Sequence, residues 1–552
     1  MITATKNTEM MKISSLILLF ILNIFLLPPG VSQNFKIELV KVINDSGSSY
    51  PSDFVIFKNK LVFSAGNKAY GLEPWISDGT TAGTMMLKNI SLLKNLKGVG
   101  GGSDPGEFTV AGNQLFFSAT DNGHGNELWV TDGTEAGTRL VSDIFPGSTG
   151  SNPHDLAAFN GRLVYGADGL FGDEPWISDG TSAGTNMIKN IDTISAYPSG
   201  FFEFDSIAYF SARDNTYSDQ LWRTDGTEQG TYMVKNLNSQ QGQSSLPNGF
   251  TRMGNLFYFN ANSGANGWEL FASDGTQAGT NLFVRINTAS AGGSYPMNLF
   301  VYNNRLYCSA DDGVHGRELW SVGPDPSSLM MVKDINPQGN SDPGNFTVYN
   351  GLLYFNAADT SGKELWVTDG TEKGTHMVSD INIYGDSDPQ WLTVFGNKLF
   401  FSAEGLLWYT NGADTGTVQI GNDTIGLESN YVTNLVVYNN SLYFAAQYDS
   451  SGIQFYKCYV NTSSIAPVTS GTMAARVYPN PCSDILHVSM NKPLPPPSLE
   501  IMDQRGIIVY KSRDGDLTDG TLNIPTASFA NGLYCLRVIS GNKSEVVKFI
   551  KK

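Results

Sequence analysis

Charge, cysteine and histidine are all scarce in this sequence. Asp, Glu, Lys and Arg make up 16% of its 552 residues, against about a quarter in an ordinary globular chain. So few charges exclude long solvent-facing helices laced with ion pairs. There are four cysteines, Cys308, Cys458, Cys482 and Cys535. That is too few to staple a chain of this length, and without a CxxC pair it excludes a zinc ribbon. Cys308 and Cys458 sit inside strand patterns and read as small buried hydrophobes. Cys482 and Cys535 share the C-terminal region, and the sequence leaves their pairing open.

Long apolar runs are equally rare. One stands out, Ile17 to Leu27, broken only by Asn23 and ended by Pro28-Pro29-Gly30. Lys12 precedes it and Val31-Ser32-Gln33 follows, as in an export signal over residues 1–33. Met1 to Glu9 fit an upstream extension, with Met10 or Met11 as the initiator. The run is short for a spanning helix and no stop-transfer segment follows, so the expected mature chain carries no transmembrane segment. Catalytic signatures are missing too. There is no HExxH, no GxSxG elbow, no GxxxxGK[ST] loop and no EF-hand loop. The expectation is a protein that is not an enzyme and holds no cofactor. The net charge of −17 comes from scattered acids. It disfavours nucleic acid and anionic membranes, tolerates divalent cations, and suits solubility outside a cell.

What the sequence has in quantity is glycine, at 59 residues, and one repeated unit. ELWVTDGTEAGTRLVSDI from Glu127 returns as ELWVTDGTEKGTHMVSDI from Glu364. Looser copies start at Glu73, Glu174, Gln220 and Glu269, and eroded ones at Glu318, Leu406 and Gln454. The aromatic anchors are Trp75, Trp129, Trp176, Trp222, Phe271, Trp320, Trp366, Trp408 and Tyr456, spaced 42 to 54 residues apart. Before each anchor comes a pair of strand patterns such as FTVYNGLLYFNAAD from Phe346. Each unit therefore reads as four short strands, a to d. Turns such as Asn160-Gly161 and Asn350-Gly351 join a to b, and DGTxxGT joins c to d. Four strands on a period in the forties mark propeller blades.

Glu38 to Ile43 match strand d with no a, b or c before them, and the last unit has a, b and c without a convincing d. An orphan d at the start and a missing d at the end fit a ring closed by an N-terminal strand. The fold class expected is all-β: a β-propeller of four-stranded blades over residues 34–460, plus a small C-terminal β-sandwich. The anchors count nine blades. Eight blades with an irregular segment at the short unit around Trp408 also fit.

The repeated ELWxxDGTxxGT string resembles the ELWxxDGT repeat family of bacterial surface and secreted proteins, across about Glu38 to Val460. That resemblance implies an exported propeller and little about its ligand. After a small polar linker, 461–475, a second resemblance covers 476–552. Tyr478-Pro479-Asn480-Pro481, then Gly532-Leu533-Tyr534 within NGLYCLRV, then terminal KFIKK occur in order. They resemble the type A C-terminal sorting domain of the Bacteroidetes type IX secretion system. This implies passage by that machinery and a secreted or outer-membrane-attached protein.

Candidate site residues fall into two sets. The DGT aspartates Asp78, Asp132, Asp179, Asp225, Asp274 and Asp369 recur in every good unit, and the anchors Trp75, Trp129, Trp176, Trp222, Trp320 and Trp366 hold one fixed strand position along the array. Catalytic groups are normally unique, so this repetition reads as architecture. The motif resembles the Asp-box of sialidase propellers, with the Trp here preceding the Asp. The second set lies in the b–c hairpins: Asp121 with Glu127, Asp173 with Glu174, and Asp311 and Asp312 with Glu318. Asp121, Asp311 and Asp312 are the candidate calcium ligands, against a plainer reading as turn residues. His124 and His315 occupy matching places in two of these hairpins and read as local structure. The leading expectation is a non-enzymatic binding or adhesion platform for extracellular polysaccharide or protein, with its site on the d–a and b–c loops. The alternatives are a polysaccharide- or glycoside-active propeller enzyme, whose paired carboxylates would meet near the channel, and a structural surface-layer component.

Overall fold

The computed structural model describes residues 35–552, except 93–100, 239, 241, 290–291, 414–415, 422–430, 461–475, 490–497, 504–507, 513–520 and 541–542. The export signal and the linker lie outside the described residues. The chain divides into two units, Phe35–Tyr459 and a C-terminal unit from Val460.

Among the described residues the first unit contains nine four-stranded sheets. Blade 1 is typical, with strands a to d at Ser52–Phe57, Lys60–Asn67, Gly71–Ser77 and Met85–Met86. Strand a of each blade touches strand a of the next, round a closed ring from blade 1 to blade 9 and back. The a strands are therefore innermost, about the central axis. Blade 9 takes strands a to c from Thr433–Tyr438, Ser441–Ala446 and Gln454–Val460 and its fourth strand from Phe35–Lys41. The orphan strand at the start closes the ring. Trp408 anchors a complete sheet, so the count is nine.

Burial explains why the blades need a ring. Strand b of blade 1 buries Leu61, Val62, Phe63, Ser64 and Ala65 in succession. An exposed sheet would bury alternate residues; an unbroken run needs cover on both faces. The neighbouring blades supply it. Leu61, Phe63 and Ala65 pack with Tyr443 and Phe455 of blade 9, and Val62 packs with Leu115 of blade 2. The anchors join these clusters between blades: Trp366 packs with Tyr307 and Leu319 of blade 6. Trp176, Trp320 and Trp408 are half-buried, and Trp75, Trp129, Trp222 and Trp366 are buried.

Alternating strand direction gives the propeller two ends. The a–b hairpins and c–d turns share one, where Lys58 Nζ donates to the Asp132 carbonyl of the next blade's turn. The b–c hairpins and d–a connections share the other, where Asn126 bridges Gly150.

The C-terminal unit has two sheets. One is Arg476–Tyr478, Ile485–Ser489 and Thr521–Pro525; the other is Ile508–Lys511, Ser498–Met502, Gly532–Ser540 and Lys543–Lys551. Leu486, Val488 and Ile524 of the first share a core with Leu499, Ile501, Leu536, Val538 and Phe549 of the second. Asn480 Oδ1 of the YPNP segment accepts from the Ile550 N–H of the last strand at 2.9 Å. Tyr534 donates its hydroxyl to the Ala530 carbonyl. Cys482 and Cys535 are both free thiols, so the open pairing resolves to none.

Candidate functional site

The DGT turns are self-contained hydrogen-bond modules. In blade 2, Asp132 Oδ1 accepts from the Thr134 N–H at 2.9 Å and the Thr134 hydroxyl at 2.7 Å. Thr134 Oγ1 accepts from Gly137 N–H, and Thr131 and Thr138 pair their hydroxyls. The Thr134 bonds hold the Asp132 carboxyl below its ordinary range. The same pattern holds Asp78, Asp179, Asp225, Asp274 and Asp369. The second glycine is fixed by contact, since a Cβ on Gly137 would lie 2.1 Å from the Asp132 carboxylate. These aspartates serve their own turns.

The glutamate of ELW does the matching work at the other end. Glu127 is fully buried. Its Oε1 accepts from the N–H groups of Phe145 and Ser151, and its Oε2 from the Ser151 hydroxyl. One carboxylate thus ties strand c to the d–a connection that leads into the next blade. Glu73, Glu269, Glu318 and Glu364 do the same with Ser103, Ser294, Ser341 and Ser387. Gln220 replaces the acid in blade 4. Gln454 does so at the ring closure, bonding Ile43 and Ser49 some 400 residues away in sequence. Burial pushes the glutamates' pKa up. This corrects the grouping of Glu127, Glu174 and Glu318 with hairpin acids for calcium. They point into the blades.

The hairpin acids proper bind their own turns. Asp121 accepts from the N–H groups of Gly123 and His124 and from His124 Nδ1. Asp312 does likewise with Val314 and His315, and Asp311 accepts from Gly313 N–H. Among the described residues no three His, Cys, Asp or Glu side chains are grouped to hold a metal.

The ring around the channel mouth lies outside the ELWxxDGT repeat motif. Seven of the nine connections end in Ser-x-Pro, one in Ala196-Tyr197-Pro198 and one in the sequence Asn430-Tyr431-Val432, and the middle residue has positive φ in all nine. In blade order these are Tyr50, Asp104, Asn152, Tyr197, Leu246, Tyr295, Asp342, Asp388 and Tyr431. Three residues on, each strand a opens with a bulge whose residue is again left-handed: Asp53, Glu107, Asp155, Gly200, Gly249, Asn298, Asn345, Trp391 and Asn434. The backbone is constant while the side chains change round the ring. The signal was in the sequence, at the ends of loops such as PGSTGSNP and PQGNSDP that otherwise differ.

Some bulge side chains latch the next blade. Glu107 Oε2 accepts from Leu156 N–H at 2.9 Å and Asp155 Oδ1 from Gly200 N–H at 3.1 Å. With Asp53 they line a cavity of about 480 Å³ floored by Phe54, Phe108 and Leu156. His154 lies between Asp155 and Asp173, both within 3.1 Å. Although burial opposes it, these carboxylates push the imidazole pKa up to about 10.

Residues 476–552 match the family described as the secretion system C-terminal sorting domain. That segment makes this a secreted or cell-surface protein handled by type IX secretion. Among the described residues no helix is long and apolar enough to cross a membrane. No curated protein sequence matches the chain. Among solved structures, a prolyl endopeptidase is similar at 12% identity and TM-score 0.36, over 63% of this chain and 55% of that one. The chain thus spans about half the length of that enzyme. The β-propeller domain of the Trilobed protease from Pyrococcus furiosus is similar at 11% identity and TM-score 0.30, over 61% of this chain and 99% of that one. The extracellular domain of a one-component system from B. thetaiotaomicron is similar at 10% identity and TM-score 0.29, over 91% and 81%.

Proposed function

We propose that the chain is an ELWxxDGT-family propeller that acts outside the cell as a non-enzymatic binding platform for polysaccharide or protein. The observation that carries this reading is the channel-mouth ring. A fixed, left-handed backbone presents Tyr, Asp, Asn or Leu according to the blade, and Tyr50, Tyr197, Tyr295 and Tyr431 stand exposed on it. Bulky residues rarely adopt that conformation without a reason beyond folding. Rigid display of varied groups is how a scaffold carries recognition. The test is a binding screen of the full chain on immobilised polysaccharides and extracellular-matrix proteins, with calcium and with chelator. Saturable binding that a Tyr50→Ala/Tyr431→Ala double variant reduces supports the platform. Binding unaffected by changes at the ring overturns it.

One observation favours a second reading, a glycoside-active enzyme. Asp53, Glu107 and Asp155 come from three blades to one cavity beside the channel, and glycoside cleavage needs facing carboxylates. Turnover of a polysaccharide that Asp53→Asn and Glu107→Gln each abolish would establish it.

A further inference from the structure

One bulge residue breaks the pattern. Eight of the nine ring positions hold Asp, Glu, Gly or Asn, all small or polar and most of them common at positive φ. The ninth is Trp391, with φ +58° and 42% exposure. A tryptophan gains nothing from that backbone and leaves a large part of its ring surface open to solvent there, so folding alone does not explain it. It lines a cavity with Asn345, Thr347 and Gln390. The next two blades continue the aromatic surface with Tyr431 and Tyr50, exposed by 52% and 55%, whose rings meet edge to face at 6.4 Å.

We propose that the arc Trp391, Tyr431, Tyr50 is a subsite for a neutral polysaccharide chain, with Trp391 stacked on a sugar ring and the Asn345 and Gln390 amides facing its hydroxyls. This rests on the platform reading and names its ligand class. A sugar ring has one apolar face and a rim of donors and acceptors, so flat aromatics beside uncharged amides complement it. Three aromatic positions on consecutive blades suit several linked units rather than one. The charge disfavours anionic polymers: Asp342, Asp388 and Asp53 stand on the same rim, and the cations beside them are already paired, Lys363 3.8 Å from Asp388 and Arg317 3.5 Å from Asp342.

The test is affinity electrophoresis of the full chain through gels holding β-glucan, xyloglucan, galactomannan or alginate. The proposal expects retardation by at least one neutral polymer and none by alginate. Trp391→Asn installs the residue that blades 6, 7 and 9 use at this place. It should weaken binding tenfold or more while leaving the thermal midpoint unchanged or higher, so loss of fold cannot mimic the result. Tyr70→Ala, on a b–c hairpin of the same end, should bind as the parent. Equal retardation of Trp391→Asn and parent overturns the subsite but leaves the platform standing. Retardation by alginate alone, or by no polymer, also overturns it. In that case saturable capture on matrix proteins that Tyr50→Ala/Tyr431→Ala reduces preserves the platform, and its absence removes both.

Discussion

The two ends of strand c carry the same chemical group under opposite conditions. At the channel-mouth end, Glu127 is sealed inside the blade, and burial raises its pKa. At the other end, Asp132 is exposed, and hydrogen bonds lower its pKa. Both accept backbone N–H groups, so both organise chain. The difference lies in what replaces them on removal. Water reaches the Thr134 N–H when Asp132 goes, and cannot reach the Ser151 N–H when Glu127 goes. The exposed motif is the one that catches the eye in the sequence; the buried acid beside it does more for stability.

That contrast breaks if the wrong end proves more sensitive. Glu127→Ala orphans two N–H groups and one hydroxyl in a dry site, each worth about 1–3 kcal/mol, and should destabilise by about 3 kcal/mol in denaturant titration. Glu127→Gln should recover most of this, as Gln220 and Gln454 fill the same place. Gly137→Ala comes next. Its new methyl meets the Asp132 carboxylate, and forced overpacking costs about 1–3 kcal/mol. Asp132→Ala should cost about 1 kcal/mol, the usual loss of an exposed side-chain cap. Asp132→Asn should be near neutral, because Asn411 already accepts from Ala413 N–H in the same turn of blade 8. Asp132→Ala costing as much as Glu127→Ala would remove the distinction between the ends.

The sequence made some of this architecture plain and hid the rest for physical reasons. The anchors and DGT turns were visible because a c–d hairpin has fixed length, so its residues repeat in register. Strand closure was visible because a lone d pattern has no other use. The glutamate's role was hidden by adjacency. Asp173 and Glu174 are neighbours in sequence, but successive strand residues point opposite ways, and only the glutamate turns toward the connection. The channel-mouth ring was hidden because its loops vary in length upstream of the constant triplet. Trp391 was ordinary until the bulge placed it beside eight small or polar counterparts.

The finest contrast lies within the glutamates themselves. Among the blades that carry the glutamate, blade 3 is the one where the serine of the triplet is missing. Ala196 occupies it, with the same backbone bond to Asp173 that Ser103 makes to Leu72. Glu174 therefore keeps the N–H groups of Ile191 and Asp192 but has no hydroxyl donor from that position. Its burial, less compensated, pushes its pKa up to about 7 from the usual 4.5. A raised pKa means the folded state holds the proton more tightly than the unfolded one. The associated stability is complete below pH 4.5 and is lost as the pH rises through 7. Ala196→Ser supplies the donor that the other blades have and favours the charged form. The unfolding free energy of Ala196→Ser should match the parent near pH 4.5 and exceed it increasingly toward pH 8, by about 1 kcal/mol at most, the net worth of one hydrogen bond. Glu174→Gln should abolish that pH-dependent difference, since no proton is then exchanged. An Ala196→Ser gain of equal size at both pH values would mean that the serine acts by packing, and that the carboxylate's charge plays no part in tying blade to blade.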